Sequence, residues 1–110
     1  MTTELKYAVF GNGSWATAIV KMLCEKTASI NWYVRKQQTI DYIQKEQHNP
    51  SYLSSVSFNT DQLRLSSDIN EVAASADVLV FAIPSAFVYA QLKKLNIDIS
   101  TKIILSAVKG

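Results

Sequence analysis

The sequence predicts a three-layer α/β/α fold, a parallel sheet with helices on both faces. Three observations predict it. Strand-like and helix-like segments alternate along the chain, the pattern that builds parallel sheets through crossover helices. Val78 to Ile83 is apolar at consecutive positions, as suits a strand covered on both faces. Two of only three glycines, Gly11 and Gly13, follow the first strand-like run, where the chain must turn tightly into a helix. At 110 residues, 48% apolar and 18% charged, residues 1–110 have the size and composition of one globular domain.

The elements follow in order. Lys6 to Phe10 is a β-branched and aromatic run that reads as a buried strand. Ala16, Ile19, Val20 and Leu23 then recur at helical spacing, and Ser14 is suited to cap that helix. Ile30 to Val34 is a second strand. Thr39 to Gln47 reads as a helix with Ile40 and Ile43 on one side, ended by Asn49-Pro50. Leu63 to Ser66 is a short strand, and Asp68 caps a helix running to Ala74. Pro84 stops the Val78–Ile83 strand, and Ser85 can cap a helix to Leu95. Lys102 to Ser106 is the last strand, expected near a sheet edge or under a surface that further chain would cover. The sequence stops at Gly110 just after that strand, with no closing helix, as a piece of a longer protein would.

Composition narrows the function. A net charge of +2 is too small to argue for nucleic acid or a lipid surface. One cysteine, Cys24, permits no internal disulfide, and one histidine, His48, permits no multi-histidine metal centre. No apolar run approaches the roughly 20 residues of a membrane helix, and Glu4, Asn12 and Gly13 break any signal-peptide pattern. The expectation is a soluble, cytoplasmic protein that binds neither nucleic acid nor membrane.

Gly11-Asn12-Gly13-Ser14-Trp15-Ala16 matches G-x-G-x-x-G/A after a strand and before a helix, the setting of a Rossmann-type dinucleotide site. Gly11 allows the turn, Gly13 lets a pyrophosphate approach the backbone, and Ala16 lets the helix pack close. The helix N-terminus then offers its N–H groups to the phosphates. The acidic residue usual some 20 positions further on is missing. Asn31-Trp32-Tyr33-Val34-Arg35-Lys36 stands there instead. A guanidinium can pair with a 2′-phosphate and stack on adenine, which favours NADP(H) or dual use. Arg35 and Lys36 as a solvated strand end is the plain alternative. Ligands bind at the carboxyl ends of such strands. There Pro84 reads equally as a neighbour of the nicotinamide half or as a strand stop. By position alone Lys109 reads as a solvated lysine. His48 reads as a loop histidine, Cys24 as partly buried packing, and Trp15 as a large apolar residue at the helix start.

Taken together these residues resemble NAD(P)-dependent glycerol-3-phosphate dehydrogenase. Gly11-Asn12-Gly13-Ser14-Trp15-Ala16-Thr17-Ala18 is similar to that family's G-x-G-S-W-G-T-A signature, with Ala16 for its third glycine. Trp32 and Arg35 fit the end of its second strand. Asn49-Pro50-Ser51-Tyr52-Leu53 is similar to its N-x-x-Y-L loop, with Ser54 for the proline that follows. Ala76-Asp77, Phe81-Ala82-Ile83-Pro84-Ser85 and Ser106-Ala107-Val108-Lys109-Gly110 resemble its A-D, A-V-P-S and S-x-x-K-G elements.

The resemblance implies the N-terminal cofactor domain of an enzyme. That enzyme passes a hydride reversibly between NAD(P)H and dihydroxyacetone phosphate, giving sn-glycerol 3-phosphate for phospholipid synthesis. It implies that Ser14 and Trp15 contact the pyrophosphate region, that Arg35 holds the adenosine end, and that Lys109 touches cofactor and substrate. Gly11, Asn12, Gly13, Lys36 and Pro84 complete the expected cofactor site, with NADPH preferred. The proton-accepting lysine is expected in a helical domain absent here, so this chain alone should not turn over. A homodimer is expected of the full-length protein. The alternatives are a non-catalytic NAD(P)-sensing module and another dehydrogenase of the same superfamily.

Overall fold

The computed structural model describes residues 5–11, 13–27, 29–49 and 57–106, with the backbone alone at Ser14 and Ser85. Five strands, β1 (Tyr7–Phe10), β2 (Ile30–Tyr33), β3 (Leu63–Ser66), β4 (Val78–Phe81) and β5 (Ile103–Ser106), form one parallel sheet in the order β3-β2-β1-β4-β5. Helices α1 (Ser14–Cys24), α2 (Gln37–Glu46), α3 (Ile69–Ala74) and α4 (Ser85–Lys94) connect them, and a 3-10 turn at Thr60–Gln62 leads into β3. The expected Rossmann-type architecture is present.

Period-two alternation divides the core. On one face Val9, Ile30, Trp32, Val78 and Val80 pack with Ala16 and Val20 of α1 and with Ile40 and Ile43 of α2. On the other, Ala8, Phe10, Tyr33, Leu79 and Phe81 pack with Ile69, Val72 and Ala73 of α3. Phe10 and Phe81 stack with ring centroids 4.6 Å apart. Each such fully buried side chain contributes about 1.5–3 kcal/mol of transfer free energy. All of β4 is buried, which explains its unbroken apolar run. β5 has one strand neighbour, and Ile103, Ile104 and Leu105 remain about half exposed, so the expected sheet edge is where the last strand lies.

Helix ends depart from expectation in three helices. Gly13, not Ser14, is the N-cap of α1, because its carbonyl already accepts the Thr17 N–H at 2.9 Å. Pro84, not Ser85, caps α4, its carbonyl accepting the Phe87 N–H at 2.9 Å. α2 starts at Gln37 and stops at Glu46, where Gln47 turns left-handed (φ 66°) before the Asn49-Pro50 pair is reached. Asp68 caps α3 as expected, its side chain accepting the Asn70 and Glu71 N–H groups at 3.0 and 3.3 Å. Such a cap stabilises by about 1 kcal/mol.

Candidate dinucleotide-binding site

The strand order places β1 and β4 side by side although two strands separate them in sequence. Chain direction across the sheet therefore reverses beside β1, the position where crevices form in open parallel sheets. The glycine turn sits there. Gly11 has φ +117°, a conformation that side chains rarely adopt. A Cβ at Gly11 would lie 2.7 Å from the Ala82 carbonyl oxygen and 2.7 Å from Ile83 Cγ2. The Gly11 N–H donates to the Tyr33 carbonyl (3.2 Å), tying the turn to β2. Its carbonyl accepts from Trp32 Nε1 at 2.6 Å, which satisfies an indole N–H that is wholly buried.

Gly13 differs. Its backbone (φ −73°, ψ −174°) is one that any residue adopts. A Cβ there would meet nothing within 4 Å among the described residues. Nothing in the described fold requires glycine at 13, so the missing side chain leaves open space at the start of α1. A glycine N-cap also brings no side chain to the first-turn N–H groups, which suits an incoming anion. These residues fit a pyrophosphate. Ala16 is fully buried between α1 and the sheet, as the close approach of helix and strand requires.

Of the remaining expected residues, Trp15 is about half exposed in the first turn of α1. Arg35 and Lys36 are exposed just after β2, and Pro84 is exposed just after β4. The sheet is parallel, so Gly11, Gly13, Ser14, Trp15, Arg35, Lys36 and Pro84 gather at its carboxyl end. Burial pushes the Tyr33 phenol above its ordinary pKa, against the neighbouring Arg35 guanidinium and with the Asp68 carboxylate. Asp68 is committed to capping α3, and Arg35 and Lys36 give the end of β2 a basic character. Asn12, Lys109 and the Pro50-Ser51-Tyr52-Leu53 part of the loop motif lie outside the described residues. Cys24 is half-buried, and desolvation raises its thiol pKa against the pull of Lys21. His48 lies against Tyr42 with ring centroids 5.4 Å apart, beside a bridge to Ser57.

Sequence reasoning gave three residues that build the turn no part in it. Trp32 holds the Gly11 carbonyl. The Thr17 hydroxyl donates to the Gly13 carbonyl at 2.7 Å, and Asn49 Nδ2 donates to that hydroxyl at 3.1 Å. Thr17 and Asn49 are both fully buried. The signal available was that family-motif residues Thr17, Trp32 and Asn49 carry hydrogen-bonding groups at positions where plain packing would take apolar ones. Two depressions of about 190 and 90 Å³ lie by Asn31, Arg64 and Ser75. Both are too small for a dinucleotide, and neither includes the glycine turn.

Residues 6–110 match the model of the NAD-dependent glycerol-3-phosphate dehydrogenase N-terminus. The chain is 36% identical over 85 residues to glycerol-3-phosphate dehydrogenase [NAD(P)+] of Streptomyces avermitilis, covering 77% of this chain and 25% of that protein. It is 32% identical over 108 residues to the enzyme of the same name from Mycobacterium avium, covering 97% of this chain and 31% of that protein. The crystal structure of glycerol-3-phosphate dehydrogenase from Coxiella burnetii superposes with a TM-score of 0.80 at 27% identity, over 97% of this chain and 33% of that one. The chain thus spans between a quarter and a third of the length of these relatives.

Proposed function

We propose that this chain holds the nicotinamide cofactor for reduction of a phosphorylated ketone, from the premise that it belongs to the NAD-dependent glycerol-3-phosphate dehydrogenase family. The observation that carries the proposal is Gly13, a glycine that neither backbone conformation nor packing demands, facing open space at the N-terminus of α1. In this reading residues 1–110 are the cofactor domain. The N–H groups opening α1 hold the pyrophosphate, with Gly11, Asn12, Gly13, Ser14 and Trp15 around it. Arg35 and Lys36 hold the adenosine end, and their charge favours the 2′-phosphate of NADPH over the bare ribose of NADH.

Pro84 borders the nicotinamide half. Lys109 approaches cofactor and substrate, where its charge stabilises oxygen charge developing on the substrate carbonyl. When bound, the reduced nicotinamide supplies the reducing equivalent. The chain's residues supply position and charge. The substrate pair is dihydroxyacetone phosphate and sn-glycerol 3-phosphate, the proton-accepting lysine belongs to a further domain, and the working enzyme is a cytoplasmic homodimer. No helix among the described residues is long and apolar enough to cross a membrane.

Calorimetric titration with NADPH and then NADH tests this reading. Saturable binding with NADPH preferred, and the preference lost in Arg35→Ala, is the expected result. Equal binding of both nucleotides removes Arg35 as the discriminator, and binding of neither overturns the cofactor reading.

A further inference from the structure

We propose that Asn49 and Thr17 are positioning residues for the pyrophosphate cradle, acting through the carbonyl of Gly13; the proposal rests on the cofactor reading above. The Thr17 hydroxyl has a single hydrogen, and it is committed to the Gly13 carbonyl at 2.7 Å. Asn49 Nδ2 donates to the same hydroxyl oxygen at 3.1 Å, which holds the hydroxyl in that orientation. Both side chains are fully buried, so the bond between them works in a dry environment where it is stronger and a lost partner costly.

The consequence reaches the ligand side through peptide planarity. The carbonyl of Gly13 and the N–H of Ser14 belong to one rigid trans peptide and point in opposite directions. The Gly13 carbonyl receives both the Thr17 N–H (2.9 Å) and the Thr17 hydroxyl, so it is fixed toward the helix. The Ser14 N–H is thereby fixed pointing away from the body of α1, at the helix start whose N-cap is Gly13. An amide aimed in advance binds an anion better than one that must be ordered on binding.

Asn49 lies 32 residues from Thr17 in sequence, and its own segment is anchored independently. The Phe58 N–H donates to the Gln47 carbonyl at 2.7 Å, and Lys21 Nζ of α1 donates to the Ser57 carbonyl at 2.8 Å. Asn49, three residues past the end of α2, is thus part of the apparatus that orients the phosphate-binding turn.

The test compares affinities for NADH and NADPH among Thr17→Val, Thr17→Ser, Asn49→Ala and the double variant Thr17→Val/Asn49→Leu. Thr17→Val keeps the branched shape and removes the hydroxyl. Thr17→Ser restores it. The double variant removes both polar partners together, which spares the fold a stranded buried amide and keeps the test open should a single variant not fold. Expected is a rise in Kd of about fivefold to tenfold for both nucleotides in every variant lacking the link, with Thr17→Ser close to wild type. A merely structural link would lower the melting temperature and leave the Kd of the folded protein unchanged, and that result overturns the proposal. Binding of neither nucleotide by the wild-type chain overturns the cofactor reading and this proposal with it. Wild-type binding matched by Thr17→Val and the double variant overturns this proposal alone.

Discussion

Replacing Gly11 and Gly13 by alanine, one at a time, should separate folding from binding at a single turn. At Gly11 the backbone φ of +117° costs an L-residue about 1–3 kcal/mol in strain. The new Cβ would also stand 2.7 Å from the Ala82 carbonyl oxygen, in backbone held by the Ala82 N–H bond to the Phe10 carbonyl at 3.1 Å. Ile83 Cγ2, equally close, is the end of a side chain and can move. Backbone displacement plus strain puts the loss at about 3 kcal/mol, or roughly 10–20 °C in melting temperature for a domain of this size. At Gly13 the backbone is unstrained and the space open. A weaker N-cap is offset by reduced freedom of the unfolded chain, and stability should stay within about 1 kcal/mol of wild type. The cost there falls on the ligand. A methyl group at the start of α1 should raise the Kd for NADH and NADPH by at least about tenfold. Urea denaturation and calorimetric titration of the two variants read the two effects separately. Equal stability of the variants, or wild-type affinity in Gly13→Ala, would refute the division of labour between the glycines.

Two further outcomes are expected. Tyr33 and Cys24 bind their protons more tightly folded than unfolded, because burial raises both pKa values. The stability they contribute is whole below their ordinary pKa values and lost as pH rises through the raised ones, so stability should fall above about pH 9. Urea denaturation between pH 7 and 11 checks this, and Tyr33→Phe with Cys24→Ala should flatten the fall; an unchanged slope in that variant would contradict it. The exposed Ile103, Ile104 and Leu105 on edge strand β5 should make the chain self-associate, and Ile104→Lys should reduce this. Sedimentation over a concentration series decides, and a monomer throughout would count against it.

The amino-acid sequence by itself determined the features that depend on near neighbours. The alternation of strands and helices, the unbroken apolar run of β4, the Asp68 cap and the glycine pair at the head of α1 all follow from residues within a few positions of one another. So does the basic end of β2, where an acidic residue would otherwise stand. Helix starts were less legible. Ser14 and Ser85 have the chemistry of caps, but which residue caps depends on whose carbonyl closes the first turn, and that falls one residue earlier at Gly13 and Pro84.

Only the tertiary structure decided the rest. Gly11 and Gly13 look alike in a motif. They part because β4 lies beside β1 and presses Ala82 and Ile83 on the first, while no described residue reaches the second. Trp32 and Asn49 hold the turn from 21 and 32 residues away in sequence, Trp32 at Gly11 and Asn49 through Thr17. Such contacts depend on which strands become neighbours, and that is settled by how both faces of the sheet are buried at once rather than by any local preference.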